Sequence, residues 1–190
     1  MSPSDVPLSG ATVGRWALVS VQTTDHPTLY NWTMHPEINH RWTTRGAIVP
    51  YEAFERKIWE DTLANLMLVD LSRGQKLAWV SLMTADLHSG YCSAGVMIPP
   101  PLNRGLGVVA TCLLLNYAFS AFPLRKVYFE SPSFVVDSFS SALNRLLEVE
   151  GHLKSHLYYD GRYWDKYILT ITRDSWNSYG RNYARRVLLR

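Results

Sequence analysis

The chain has 190 residues, 47% of them hydrophobic, which is enough to bury a sizeable core in one domain without a metal or disulfide scaffold. Its formal net charge of +3 is modest and its aromatics are not interleaved with a basic run, so nucleic acid is not an expected partner. Cys92 and Cys112 lie far from any C-x-x-C spacing and read as small core residues, so neither a disulfide nor a metal is expected.

In chain order, residues 16–21 alternate like a first strand, and Asp25 followed by Pro27 starts a helix that Pro36 closes. Pro50 opens a second helix with Phe54, Ile58 and Leu63 near one face, ending around Asn65. Strands at 66–71 and 77–83 flank the turn at 72–75, and a strand at 91–98 follows a turn at 88–90, which makes an antiparallel meander. The apolar run 108–122 reads as a buried helix, followed by a strand at 127–129, a helix around 138–148, and strands at 153–159 and 166–172. The fold class is therefore α+β, a mixed sheet covered by helices. Residues 1–176 make the domain, and 177–190 a basic tail. With four arginines in its last ten residues, that tail is either solvated or a short amphipathic helix that packs on the body or meets an acidic partner. The chain opens without a cationic, apolar signal pattern, and its apolar runs stop short of a membrane span. A cytoplasmic protein without membrane contact is expected.

The most informative segment joins the strand at 91–98 to the buried helix: Met97-Ile98-Pro99-Pro100-Pro101-Leu102-Asn103-Arg104-Gly105-Leu106-Gly107. Without Cβ atoms, Gly105 and Gly107 let the backbone aim N–H groups at an anion, the helix start adds partial positive charge, and Arg104 adds a full one. A diphosphate suits this. A Gly-x-Gly turn alone is a weak signal, and Gly105 to Ala110 also fits the dinucleotide pattern, with Glu130 downstream. Spacing opposes a dinucleotide fold, because residues 99–103 separate the strand from the glycines and little parallel-sheet material follows Glu130. A Walker loop is excluded by the missing Gly-Lys-Ser/Thr.

The third reading is an acyl-coenzyme A site. Arg104-Gly105-Leu106-Gly107-Val108-Val109 resembles the Arg/Gln-x-x-Gly-x-Gly/Ala loop of the GCN5-related N-acetyltransferases, departing at the last small position. Asp25, Trp32 and His35-Pro36-Glu37 resemble the opening helix and Asp-Pro-Glu turn of the branch that modifies ribosomal-protein N-termini. The runs 150–153, 160–165 and 174–176 resemble its closing hairpin.

The resemblance implies a mostly antiparallel twisted sheet in which one strand pair splays apart and the exposed edge takes pantetheine through backbone amides around Met97 and Ile98. It implies acyl-coenzyme A contacts from Arg104, Gly105, Leu106, Gly107, Val108 and Val109. Ser138 is also a contact and the candidate acid, since Val135 stands where the family has an asparagine and Ala142 where many members have a tyrosine. Glu37, His35, His88 and Glu130 are candidates for the base. Trp32, His35, Trp79 and Tyr91 are candidates to line an acceptor pocket. The implied activity is transfer of an acetyl or other acyl group from acyl-coenzyme A to a primary amine of a small molecule or a peptide N-terminus, by a monomer or homodimer. Two alternatives stay open: a longer acyl group delivered by an acidic carrier protein, and a non-catalytic member of the fold that binds acyl-coenzyme A or a protein.

Overall fold

The computed structural model describes residues 10–42, 45–101, 104–136 and 145–189. Its elements are β1 (Thr12–Val13), β2 (Trp16–Ser20), α1 (His26–Met34), α2 (Pro36–Asn39), α3 (Tyr51–Lys57), β3 (Thr62–Asp70), β4 (Gln75–Asp86), β5 (Tyr91–Met97) and α4 (Arg104–Ala121). They continue with β6 (Lys126–Pro132), α5 (Ser133–Val136), β7 (Glu148–Tyr159), β8 (Arg162–Thr172), α6 (Arg173–Ser175) and α7 (Arg181–Leu188).

The strands form one eight-stranded sheet in the order β1-β2-β3-β4-β5-β6-β8-β7. Every neighbouring pair is antiparallel except β5 and β6. A parallel pair needs a crossover, and α4 supplies it. Its residues Leu113, Leu114 and Leu115 are wholly buried, so it is a core helix laid on the sheet. Side chains alternate across a strand, and β3 feeds two cores. Leu66 and Leu68 meet α4 and α7 on one face, while Met67 and Val69 meet Leu29 of α1 and Phe54 of α3 on the other. This is why residues 66–69 are an unbroken apolar run.

Several boundaries differ from the sequence reading. The second helix ends at Lys57, not near Asn65. Asp61 adopts a left-handed φ of 48°, and Leu63 and Asn65 belong to β3. Asn65 is buried there, donating its amide to the Ile58 carbonyl and accepting the Trp79 indole N–H at 3.1 Å. Pro36 does not merely close a helix but opens α2, with His35 as its cap. The expected helix at 138–148 falls mostly outside the described residues, and its last residue, Glu148, instead begins β7, paired with Thr170. The basic end is not a solvated tail: α7 buries Ala184 and Leu188 in the α4 core and keeps Arg186 outside. Both cysteines are buried, and burial pushes each thiol up to about 12, so they are inert core residues. Among the described residues no helix is long and apolar enough to cross a membrane.

Candidate active site

The site begins where two strands part. β5 and β6 pair through Tyr91↔Lys126, Cys92↔Val127 and Ser93↔Tyr128, and the pairing stops there. Beyond that rung β5 stays on β4 as far as Met97↔Trp79, and β6 stays on β8 as far as Pro132↔Lys166. Each strand is thus held by its outer neighbour while their facing edges diverge. The wedge holds a largely apolar cavity of about 260 Å³, reaching from Thr111 of α4 on one face to Ile38 and Trp42 on the other. A second cavity of about 570 Å³ opens beside it, walled by His40, Arg41, Phe134, Tyr159 and Lys166. Arg41, Trp42, Ala94, Gly95, Glu130 and Ser131 line both, so the two form one channel through the sheet.

The sequence's loop residues adjoin the narrow cavity through Gly107, whose carbonyl accepts from the Thr111 hydroxyl at 2.8 Å and which lies beside Ile98; Thr111 and Ile98 both belong to the cavity wall. α4 starts at Arg104, so Gly105 and Gly107 lie in its first turn and not in a loop before it. A helix start still attracts an anion, because the aligned peptide dipoles leave partial positive charge there. A Cβ built on Gly107 would meet nothing closer than Ile98 Cγ1 at 3.8 Å, so internal packing does not require glycine there. Met97 and Ile98 line the wedge. Leu106 and Val108 pack partly buried against the main core, and Val109, 9% exposed, is part of that core, facing away from any ligand on the helix start.

The wider cavity is polar at its centre. Glu130 projects from β6 and is ion-paired through Oε2 with Lys166, whose side chain is only 10% exposed while that of Glu130 is 49% exposed. Lys166 is a buried cation with a partner, and the Glu130 carboxylate remains open to the channel. His40 stacks flat on Tyr159, with centroids 3.7 Å apart and planes 9° off parallel. Its Nδ1–H donates to the Pro36 carbonyl at 3.1 Å, and its Nε2 accepts from Arg41 Nε at 3.1 Å. With one ring nitrogen donating and the other accepting, His40 is the neutral imidazole. Burial holds it below its ordinary value, helped by the Arg41 charge and opposed by the Pro36 bond and Asp160. The Arg41 guanidinium lies 5.6 Å from the Phe134 ring centroid. Ser131 is buried in the wall between the cavities, its hydroxyl 3.5 Å from the Pro132 carbonyl.

Of the base candidates, only Glu130 is in the channel. Glu37 is exposed on α2, and its backbone N–H serves only the His35 cap. His88 is exposed in the β4–β5 turn, beyond the end of β5 remote from the wedge. The expected acceptor aromatics are also elsewhere. Trp32 packs partly buried on the second core, and Trp79 is buried in it. Tyr91 makes an edge contact with Tyr128 at the paired end of β5. Trp42, Phe134 and Tyr159 provide the aromatic walls instead. Ser138 and Ala142 lie outside the described residues, and Val135 lines the narrow cavity. The sequence reading missed His40, Arg41, Trp42, Ser131 and Lys166. The first three follow the resembled opening helix directly, and Lys166 directly follows the closing-hairpin run at 160–165, so extending those motifs by a few residues would have reached them.

No protein-family model matches the chain, and no curated protein does. Solved structures do. A spermidine N-acetyltransferase from Vibrio cholerae, in complex with CoA and spermine, superposes with a TM-score of 0.74 at 16% identity, covering 86% of this chain and 98% of that one. A chimera of that enzyme with hSSAT gives 0.74 at 15% identity over 86% and 99%. The same enzyme in complex with manganese ions gives 0.71 at 15% identity over 86% and 96%. At this identity the likeness speaks for architecture alone, and its extent, 86% of this chain and nearly all of the other, shows that this protein shares the fold of those N-acetyltransferase structures.

Proposed function

We propose that the protein is an acyl-coenzyme A-dependent N-acyltransferase, most simply an acetyltransferase, acting on a primary amine of a small molecule or a peptide N-terminus. The observation that carries this is the end of β5–β6 pairing at Ser93 and Tyr128, which leaves one strand edge beside a channel that crosses the sheet. An extended amide chain completes such an edge as a strand would. The open space over Gly107 and the partial positive charge of the α4 start suit the diphosphate of the same ligand.

In this reading Met97 and Ile98 pair with pantetheine, and Arg104, Gly105, Leu106, Gly107 and Val108 carry the diphosphate. Acyl-coenzyme A brings the activated acyl carbon. The channel's own residues do the rest. Glu130 takes the proton from the arriving ammonium, so that the amine presents a lone pair, and Lys166 fixes the carboxylate that does so. Trp42 and Gly95, common to both cavities, set where the amine meets the acyl carbon. A C–N bond then replaces the C–S bond, and the nitrogen's second proton passes to the departing sulfur by way of a hydroxyl, Ser131 or Ser138, so that coenzyme A leaves as the thiol. The motif resemblance to the ribosomal-protein branch makes a peptide N-terminus the finer acceptor reading. The structural neighbour's spermine makes a polyamine the competing one.

A second reading, a non-catalytic binder of acyl-coenzyme A, is favoured by Val135, an apolar residue in the channel wall where the family has an asparagine. Incubating the protein with acetyl-coenzyme A and an amine panel, and reading thiol release with product mass, separates the two. Amine-dependent thiol release supports the transferase. Coenzyme A binding without release on any amine supports the binder, and neither binding nor release overturns both.

A further inference from the structure

The wide cavity carries charges of the wrong sign for a polycation. The one carboxylate among the described residues that line it, Glu130, is already paired with Lys166. Two further cations line the same space, Arg41 and Arg45, and among the described residues neither has an ion-pair partner. Arg41 is nonetheless held in position. Its Nε donates to His40 Nε2, His40 is fixed between the Pro36 carbonyl and the Tyr159 ring, and the guanidinium faces Phe134. Locking His40 as a neutral acceptor leaves both terminal guanidinium nitrogens for an incoming anion, the bidentate geometry that carboxylates take. The other titratable lining residues, His156, Tyr158 and Tyr159, bring no carboxylate, and Asp160, which acts on His40 from nearby, is not among the residues that line the cavity.

On the transferase reading, which this inference presupposes, we infer that the acceptor is an amine that also bears a carboxylate, with its amine at Glu130, its carboxylate at Arg41 and Arg45, and a flat body against the aromatic wall. About 570 Å³ accommodates a ligand the size of an aromatic amino acid or dipeptide. A free polyamine would bring like charge to Arg41 and Arg45, and specificity against it follows from that repulsion.

The test compares acceptors that differ only in charge: phenylalanine with phenylalaninamide, 4-(aminomethyl)benzoate with its carboxamide, and phenylalanylglutamate with phenylalanylglutamine, with spermidine as the polycation. The carboxylate member of a pair is expected to show kcat/KM at least about tenfold higher. In Arg41→Ala/Arg45→Ala that ratio should collapse toward one. Arg45→Ala alone, at an exposed residue, should narrow it even if the double variant does not fold. Equal or better carboxamides in all three pairs, preference for spermidine, or a ratio that survives the double substitution would overturn the inference. So would a double variant that loses coenzyme A affinity, which would assign the arginines to the donor. Calorimetry with each pair on the parent protein reads carboxylate preference without turnover, so a failed transferase reading and a failed acceptor class give different results.

Discussion

Ser93 and Tyr128 form the last rung between β5 and β6, and past it the two strands never rejoin. Twist alone does not open a gap of this kind. Each strand is fastened on its far side, β5 to β4 through Met97 and β6 to β8 through Pro132, so the wedge is built into the sheet. Rigid placement of this sort lets a channel hold reacting groups without being ordered by the ligand.

Glu130→Gln should leave the shape of the channel intact while removing the one carboxylate among the described residues that line it. As the proposed base, Glu130 is worth about a hundredfold to ten-thousandfold in turnover. Coenzyme A affinity should be nearly unchanged. The amide oxygen still accepts from Lys166, and the half-exposed position of Glu130 limits the stability cost to about 1–3 kcal/mol. Steady-state kinetics beside a thermal melt checks this. Turnover within about twofold of the parent would remove Glu130 from the mechanism.

Gly95→Ala should damage the junction of the two cavities. The added Cβ would stand 2.9 Å from Ser81 Oγ, 3.0 Å from Trp42 Cη2 and 3.3 Å from Met83 Cε, so Trp42 or β4 must move. Overpacking of this kind costs about 1–3 kcal/mol. Because Trp42 lines both cavities, KM for the amine should rise together with the loss in melting temperature. An unchanged KM would mean that Trp42 does not shape the acceptor route.

Arg173 closes the C-terminal end of α4. Its guanidinium donates to the carbonyls of Phe119 at 2.7 Å, Phe122 at 2.7 Å and Leu124 at 2.6 Å, tying the start of α6 to the α4–β6 connection. Arg173→Ala removes a charged cap from last-turn carbonyls and should cost about 2–4 kcal/mol, or about 5–15 °C in melting temperature. Arg173→Lys should recover only part, since an ammonium cannot reproduce the fork. A melt equal to the parent's would show that water replaces the cap without penalty.

Stability should fall in mild acid because of His40. Its folded-state value is held below the ordinary 6.5 by burial, with the Arg41 charge acting the same way and the Pro36 bond and Asp160 opposing. Between the folded and unfolded values the unfolded chain therefore binds more protons. The contribution is complete above about 6.5 and is lost as pH falls through that value toward the folded one. Protonated His40 also surrenders the bond from Arg41, so carboxylate binding should weaken only as pH falls through the lower, folded-state value. Melting temperature followed from about pH 8 to pH 5 should drop more steeply for the parent than for His40→Gln, and identical slopes would contradict the assignment.

The β3–β4–β5 meander and the strand-to-helix segment after it were legible because their apolar runs are bounded by turns and punctuated by proline and glycine. The end of the second helix was not. Phe54 and Ile58 keep a helical spacing in the sequence with Leu63 not far behind, and only the left-handed Asp61 and the pairing of β3 with β4 show the break before Leu63. Glu130 could be named because it closes a short strand beside the motif. The acceptor wall could not, because its residues are assembled by tertiary structure. His40 follows α2, Phe134 belongs to α5, and Tyr159 and Lys166 come from the hairpin, and the stacking of Tyr159 on His40 joins segments more than a hundred residues apart. Trp79 and Tyr91 misled for the opposite reason. Residue type suggested a pocket, but one serves a core hydrogen bond to Asn65 and the other the paired end of β5.

The central claim is that the wedge and the α4 start take acyl-coenzyme A, and calorimetric titration of coenzyme A into the parent protein and Gly107→Val tests it most directly. An added Cβ meets nothing closer than Ile98 Cγ1 at 3.8 Å, and valine has a better helix propensity than glycine, so both proteins should melt within about 1 kcal/mol of one another. The parent should bind, and the variant should lose at least about tenfold in affinity, because the added side chain stands where the diphosphate approaches the backbone. Equal affinity in two equally stable proteins, or no binding by the parent, would contradict the account.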